Sequence, residues 1–347
     1  MKVIIRLMVG LMAALIALPC GPLYAQPIIS GAGATFPSPL YFKWIEEYGK
    51  AVPSRITYRE TGSTDGIRLL LDREVDFGAT DVFLSNGRMN QTSETLLHIP
   101  TCIGAVAIIY HLEGNPAIRL TPALLADIFM GRITAWSDDR IRRINPSANI
   151  KPLKITVIHR SEGSGTTFLL SDYFSQVSAD WKKNIGTGPM IRWPVGLGVQ
   201  ENSGVAGLVK KIPGGIGYVS LNYAIKNHIS TAALQNAAGN FVKPTVEAVS
   251  AAAAVDLPRD TRVLLTNSRH LRAYPICGFT YMVVFREQFY RDHSEEHARA
   301  LVNFISWCLQ EGQRHAEPLF YAPLPEGAVL HVGRVIRSIT YKGKPLL

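Results

Sequence analysis

The chain has 347 residues, 47% hydrophobic and 18% charged, with 36 Lys and Arg against 27 Asp and Glu for a net charge of +9. That length suffices for one sizeable domain or two lobes. The basic residues are scattered: Arg140-Ile-Arg142-Arg143, Lys182-Lys183 and Lys210-Lys211 are short clusters that read as solvated faces, which excludes a nucleic-acid footprint, although a basic field still concentrates small anions.

The first element is a secretory signal over residues 1–25. Lys2 and Arg6 form its basic start, and residues 7–18 form an apolar core too short to span a bilayer. Pro19, Gly21 and Pro22 break that core, and Ala25 is the small residue before a cut at Gln26. Cys20 invites a lipid-anchor reading, but Pro19 stands where that processing needs a small residue, so anchoring is not expected. No later apolar run is long and uninterrupted enough to cross a membrane. The exported part is therefore expected to be a soluble, periplasmic protein.

Past the leader, Pro27-Ile28-Ile29 runs into Ser30-Gly-Ala-Gly-Ala-Thr35-Phe36-Pro37-Ser38-Pro39. This is a glycine-rich turn before a helical pattern of Tyr41, Trp44, Ile45 and Tyr48. Pro37 and Pro39 suit a first helical turn, where a missing amide hydrogen costs little. A strand at 56–58 leads to Gly62-Ser63-Thr64-Asp65-Gly66 and then to Ile67, Leu69, Leu70 and Leu71. Residues 75–79 form a short strand that ends in Thr80-Asp81. A strand at 106–110 and a helix at 122–129 follow. The strand at 155–158 passes through Arg160 and Glu162 into Gly163-Ser164-Gly165-Thr166 and a helix over 167–177. Further on, 205–211, the Ala-rich 244–254 and 295–310 read as helices, and 215–219 and 281–285 as strands. Residues 329–339 are helix or strand. This alternation predicts an α/β fold with mostly parallel sheets, and ligands then sit at the carboxyl ends of strands, where the glycine loops fall.

Those loops have one chemistry in common. Glycines let the backbone approach a bound group, free amides at helix starts point the same way, and Thr35, Ser63, Ser164 and Thr166 add hydroxyls. Arg160 adds a forked cation suited to phosphate or carboxylate. Each loop alone is equally a capped turn between strand and helix. Together they point to one convergent anion site. Asp81 is the odd member, because a carboxylate repels an anion unless the anion brings a proton for it to accept. Hydrogen phosphate has that proton, and sulfate near neutral pH does not. The plain alternative for Asp81 is an N-cap or turn residue.

With these motifs in place, the chain resembles the PstS family, the periplasmic phosphate-binding proteins of high-affinity phosphate ABC importers. The resemblance rests on Gly31-Ala-Gly-Ala-Thr-Phe-Pro37, Gly62-Ser63, Val75-Asp-Phe-Gly-Ala79 with Asp81, and Arg160 with Gly163-Ser-Gly-Thr-Thr-Phe168. It extends to Asp127-Ile-Phe-Met-Gly-Arg-Ile133 with Trp136, and to Gly186-Thr-Gly188 with Trp193-Pro-Val-Gly-Leu-Gly198. Pro213-Gly-Gly-Ile-Gly-Tyr-Val219 and Gly343-Lys-Pro-Leu346 complete it, so nearly all of the mature chain is covered in order. It implies a two-lobed periplasmic binding protein fold of type II, with mixed sheets flanked by helices and a ligand cleft between the lobes. One lobe would be discontinuous, residues 26–104 and 279–347, and the other 105–278.

By the same resemblance, Thr35, Phe36 (through its amide), Ser63 and Asp81 face phosphate from one lobe. Arg160, Ser164, Gly165 and Thr166 face it from the other. One phosphate per monomeric chain, no cofactor, no metal and delivery to the membrane permease of an ABC transporter are implied. A same-fold receptor for sulfate or molybdate, or a phosphate-sensing or adhesion protein without a transport role, is the alternative. The chain departs from the family at Thr64-Asp65-Gly66, where relatives often carry Ser-Gly-Gly or Gly-Gly-Gly, and at Glu162, where many carry Asp.

Of the cysteines beyond the leader, the resemblance places Cys102 and Cys277 at the two crossovers between lobes. They are a candidate disulfide in an exported protein, or else two buried small apolar side chains. Cys308, at the spacing Leu301, Ile305, Cys308, reads as core. No enzyme is expected. Ser164 lies in Glu-Gly-Ser-Gly-Thr rather than G-x-S-x-G, and no glycine loop ends in Gly-Lys-Ser/Thr. His293-Ser-Glu-Glu-His297 fits H-x-x-E-H. However, His293 is expected to precede its helix, so the two imidazoles need not share a face, and the sequence nominates no distal carboxylate.

Overall fold

The computed structural model describes residues 27–291 and 293–347, so the signal segment and Cys20 lie outside the described residues. One nine-stranded sheet organises the chain. Its strands are β1 (Ile28–Gly33), β2 (Arg55–Glu60), β3 (Phe77–Thr80), β4 (Leu96–Tyr110), β5 (Thr156–Arg160), β6 (Leu197–Val199), β7 (Gly215–Ser220), β8 (Ser230–Thr231) and β9 (Cys277–Phe285). The spatial order is β2-β1-β3-β9-β4-β7-β5-β6, with β8 also on β4.

The sheet is mixed rather than mostly parallel. β1 pairs in parallel with β2 and β3, and β5 with β6 and β7, as strand–helix–strand units require. The middle is antiparallel, with β9 between β3 and β4, and β4 also against β7 and β8. Both central strands are buried along nearly their whole length. They are continuous apolar runs without alternation, so their direction leaves no mark in the sequence.

β4 spans 15 residues and changes partner midway. Residues 96–105 pair with β9 and residues 106–110 with β7, so one backbone belongs to both halves of the sheet.

The longer helices flanking the sheet are α1 (Ser38–Ala51), α2 (Ser63–Leu71), α3 (Pro122–Phe129), α4 (Gly165–Val177), α5 (Glu201–Lys211), α6 (Glu295–Leu309) and α7 (Glu326–Arg337). α7 settles the helix-or-strand ambiguity of the C-terminal apolar run. The Ala-rich helix is shorter than its pattern, Val246–Ala252, because Thr245 caps it through the Ala248 amide. α2 lies unusually close to β1 and β3. A Cβ on Gly66 would fall 2.5 Å from Gly33 Cα, so only glycine lets the first turn of α2 press against the strand ends. Trp44, Trp136 and Trp181 are fully buried, each with its indole N–H on a backbone carbonyl. Among the described residues, no helix is long and apolar enough to cross a membrane.

The candidate disulfide does not form. Cys102, Cys277 and Cys308 are free and buried. The register sets Cys277 against Ala105 and Cys102 against Thr280. An offset of three residues puts the thiols on opposite faces of the strand pair, roughly 10 Å apart along it, well beyond the span of a disulfide.

Candidate anion-binding site

The glycine loops converge where β1, β3 and β5 end. Ser63 opens α2, and its buried hydroxyl accepts from the amides of Asp81 at 3.3 Å and Gly165 at 3.1 Å. Its own proton points to Asp81 Oδ2 at 3.4 Å. Gly165, the first residue of α4, is pressed against this group, and a Cβ there would lie 2.5 Å from Asp81 Oδ2 and 2.6 Å from Ser63 Oγ. The Thr64 amide also reaches the Gly163 carbonyl at 3.5 Å. Ser63 and Gly165, 102 positions apart, thus meet through a hydroxyl and a backbone amide.

Asp81 directly follows β3 and is 3% exposed. It caps no helix, since the next one, Asn86–Met89, is capped by Ser85. Thr280 donates to its Oδ1 at 2.7 Å. Burial pushes its carboxyl up to about 7, against the opposing pull of the Thr280 hydrogen bond, the Arg160 charge and the Ser63 hydroxyl. Near neutral pH this carboxylate is therefore poised to take a proton.

Arg160 ends β5, and its amide donates to the Tyr218 hydroxyl at 3.1 Å. That hydroxyl also shares a hydrogen bond with Thr167 Oγ1 at 2.6 Å, so one buried tyrosine sets both the strand end and the first turn of α4. The guanidinium donates through Nε, at 2.7 Å, and through Nη2 to Glu162 Oε1. Glu162 Oε1 in turn accepts the Glu201 amide at 2.9 Å. Burial opposes the Glu162 charge, but Arg160 outweighs it and holds the carboxyl below the usual range. Arg160 Nη1 is buried with no hydrogen-bond partner among the described residues. A buried charged donor left in that state is costly, and an anionic acceptor would relieve it.

The other expected residues divide. Ser164 is the N-cap of α4, and its hydroxyl accepts from the Thr167 amide at 3.2 Å. Thr166 is buried in the first turn of α4. Thr35 is buried, and its hydroxyl accepts from Asn202 Nδ2 of α5 at 2.8 Å. The Phe36 ring packs on Gly104, where a Cβ would lie 2.3 Å from it, and the Phe36 carbonyl accepts from Tyr321 at 2.6 Å. Asp65 points outward and pairs with Arg68 at 3.4 Å in solvent, so its charge does not enter the site.

Sequence reasoning missed Thr280, Asn202 and Tyr218. The available signal was weak: one threonine in the apolar run Phe279-Thr-Tyr-Met, and a single amide side chain before Ser-Gly-Val. The assembled group offers a forked cation, amides and hydroxyls, with one carboxylate that can accept a proton. That donor and acceptor set suits a tetrahedral oxyanion carrying a proton better than one without.

Residues 22–311 match the family model described as the PBP superfamily domain. The phosphate-binding protein PstS of Xylella fastidiosa strain Temecula1 is 39% identical over 309 residues, covering 88% of this chain and 83% of that one. The phosphate-binding protein PstS of Methanocaldococcus jannaschii is 36% identical over 323 residues, covering 86% and 83%. A solved high-affinity periplasmic phosphate-binding protein, PfluDING bound with phosphate, superimposes with a TM-score of 0.70 at 21% identity, covering 88% and 92%. At that identity the likeness shows a common fold.

Proposed function

We propose, for a chain that belongs to the PstS family of phosphate-binding proteins within the PBP superfamily, that it captures inorganic phosphate in the periplasm and delivers it to the membrane permease of an ABC-type importer. One phosphate binds per chain, and there is no catalytic step. The leader over residues 1–25 takes the chain across the membrane.

Two lobes close on the ligand, one built from 26–104 and 279–347 and the other from 105–278. The change of partner along β4 after Ala105 supports this division. So does the hydrogen bond from Gly165 to Ser63, which joins the two segments at the site. Thr35, the Phe36 amide, Ser63 and Asp81 hold phosphate from the first lobe, and Arg160, Ser164, Gly165 and Thr166 hold it from the second. Glu162 keeps the Arg160 fork in its plane.

The observation that carries the reading is the buried Asp81 carboxylate beside Ser63 and Gly165. It is an acceptor where a proton-free anion would leave it unpaired beside like charge. Calorimetric titration of the mature protein, stripped of anion by unfolding and refolding, tests this with phosphate, sulfate and molybdate near neutral pH. One-to-one phosphate binding without a sulfate response is expected. Silence toward phosphate with binding of another oxyanion would transfer the protein to a different transport or sensing role.

A further inference from the structure

At the opposite end of β3 from Asp81, the H-x-x-E-H segment acquires the partner that its sequence could not name. His293 does precede α6, as expected, yet its ring stacks on that of His297 with centroids 4.0 Å apart and planes 24° from parallel. Both rings turn the same nitrogen to one oxygen of Asp76, just ahead of β3. His297 Nε2 lies 2.9 Å from Asp76 Oδ1, and His293 Nε2 lies 3.4 Å from it. One ligand atom from each of the three residues falls within 4.8 Å of the others.

The supports are rigid. Asp76 Oδ2 accepts from the Ser30 amide at 2.6 Å and the Ser30 hydroxyl at 2.9 Å, which fixes the carboxylate and leaves Oδ1 to the imidazoles. The first turn of α6 fixes His297, whose amide donates to the Ser294 cap at 3.1 Å. The backbone of His293 is held at its carbonyl by Tyr341 at 3.0 Å, and Tyr290 packs on its ring at 4.8 Å.

We propose that Asp76, His293 and His297 form a binding site for a zinc-class divalent transition metal, with solvent completing the coordination. Two imidazoles and one carboxylate are a common donor set for such ions. Ligand atoms about 2.0–2.1 Å from a tetrahedral ion stand roughly 3.3 Å from one another. The spacings around Asp76 Oδ1 are close to that, so binding needs only small ring movements. The Asp76 side chain is 3% exposed and the two imidazoles 12% and 14%, which gives a buried anchor with an approach from solvent. The ion fastens the start of α6 to the loop that leads into β3. Glu296, the general base of H-x-x-E-H hydrolases, is exposed, and no hydrolysis is assigned.

The test uses untagged mature protein, treated with chelator and held in phosphate-free buffer, titrated with zinc by calorimetry and with cobalt by visible absorption. One ion per chain with a micromolar or tighter Kd, a raised Tm with zinc and a cobalt–imidazole spectrum are expected. His293→Gln and His297→Gln should each weaken zinc at least tenfold while phosphate binding persists. Asp76 also anchors Ser30, so the two partly exposed histidines are the cleaner probes. Absence of zinc binding in the unsubstituted protein, or binding unchanged in both variants, overturns the proposal. Because the phosphate titration is separate, the two readings fail independently.

Discussion

Thr280 holds Asp81 by one oxygen. Its hydroxyl donates to Oδ1 at 2.7 Å from β9, leaving Oδ2 toward Ser63 and Gly165. The strand in the middle of the sheet therefore orients this buried carboxylate and favours its charged form.

Thr280→Val keeps the shape and removes that donor. The Asp81 carboxyl should then rise further above about 7, since a hydrogen bond to the charged form is lost. Phosphate affinity should fall at neutral pH and recover toward higher pH, where Asp81 ionises. Calorimetric Kd values across pH check this. A profile that keeps the position it has in the unsubstituted protein would remove Thr280 from the account.

Asp81→Asn replaces the acceptor with a neutral amide that can also donate. Selectivity for phosphate over sulfate should fall by roughly tens-fold to thousands-fold, the range expected when a buried unpaired acceptor no longer penalises the proton-free anion. Competition titrations with the two anions measure it, and unchanged selectivity would end the proton-acceptor account.

The same carboxylate makes the stability of the ligand-free protein depend on pH. The folded-state value of about 7 lies above the ordinary 3.8, so between them the folded chain keeps a proton that the unfolded chain has lost. Stability is full below the ordinary range, drains as pH rises and has lost the whole contribution once pH passes about 7. The loss is on the order of 4 kcal/mol. Denaturant titrations between about pH 5 and pH 8 should show the decline, and Asp81→Asn should flatten it. Equal slopes in the two proteins would place the titration elsewhere.

Arg160→Ala should weaken phosphate binding by about 1.5–3 kcal/mol or more, the range for hydrogen bonds to charged groups. Glu162→Gln should cost less, because the amide oxygen can still accept from Nε. An undiminished affinity in Arg160→Ala would mean that the anion binds elsewhere.

Much of this was legible because the site loops are local in sequence. Strand, glycine turn and helix start lie within a few residues at Ser63 and Gly165, so the placing of these hydroxyls and amides at helix starts is a local matter. Contacts made at long range left no trace. Thr280 meets Asp81 across 199 positions, and His297 meets Asp76 across 221. The cysteine expectation failed for a related reason. Cys102 and Cys277 do lie on adjacent strands, but a register offset of an odd number of residues, invisible in the sequence, separates their side chains. The polarity of β4 and β9 was hidden because both faces of each are buried.

With Cys102, Cys277 and Cys308 all free, denatured protein lacking the leader should give three thiols without reductant. In the native state their reaction should be slow, since burial pushes all three thiols far above the usual range. A count of one would restore the disulfide.

β9 is the last strand of the main sheet to be synthesised, yet it sits in the middle, between β3 and β4. Until Cys277–Phe285 leaves the ribosome, β3 and residues 96–105 of β4 each lack a neighbour on their inner side. The sheet cannot close progressively from its N-terminal end, because strands paired this far apart in the chain are late to form. The part of the sheet made of β1, β2 and β3 is joined to β4 only through β9, so the strand that completes the sheet is also the one that brings its two parallel ends together.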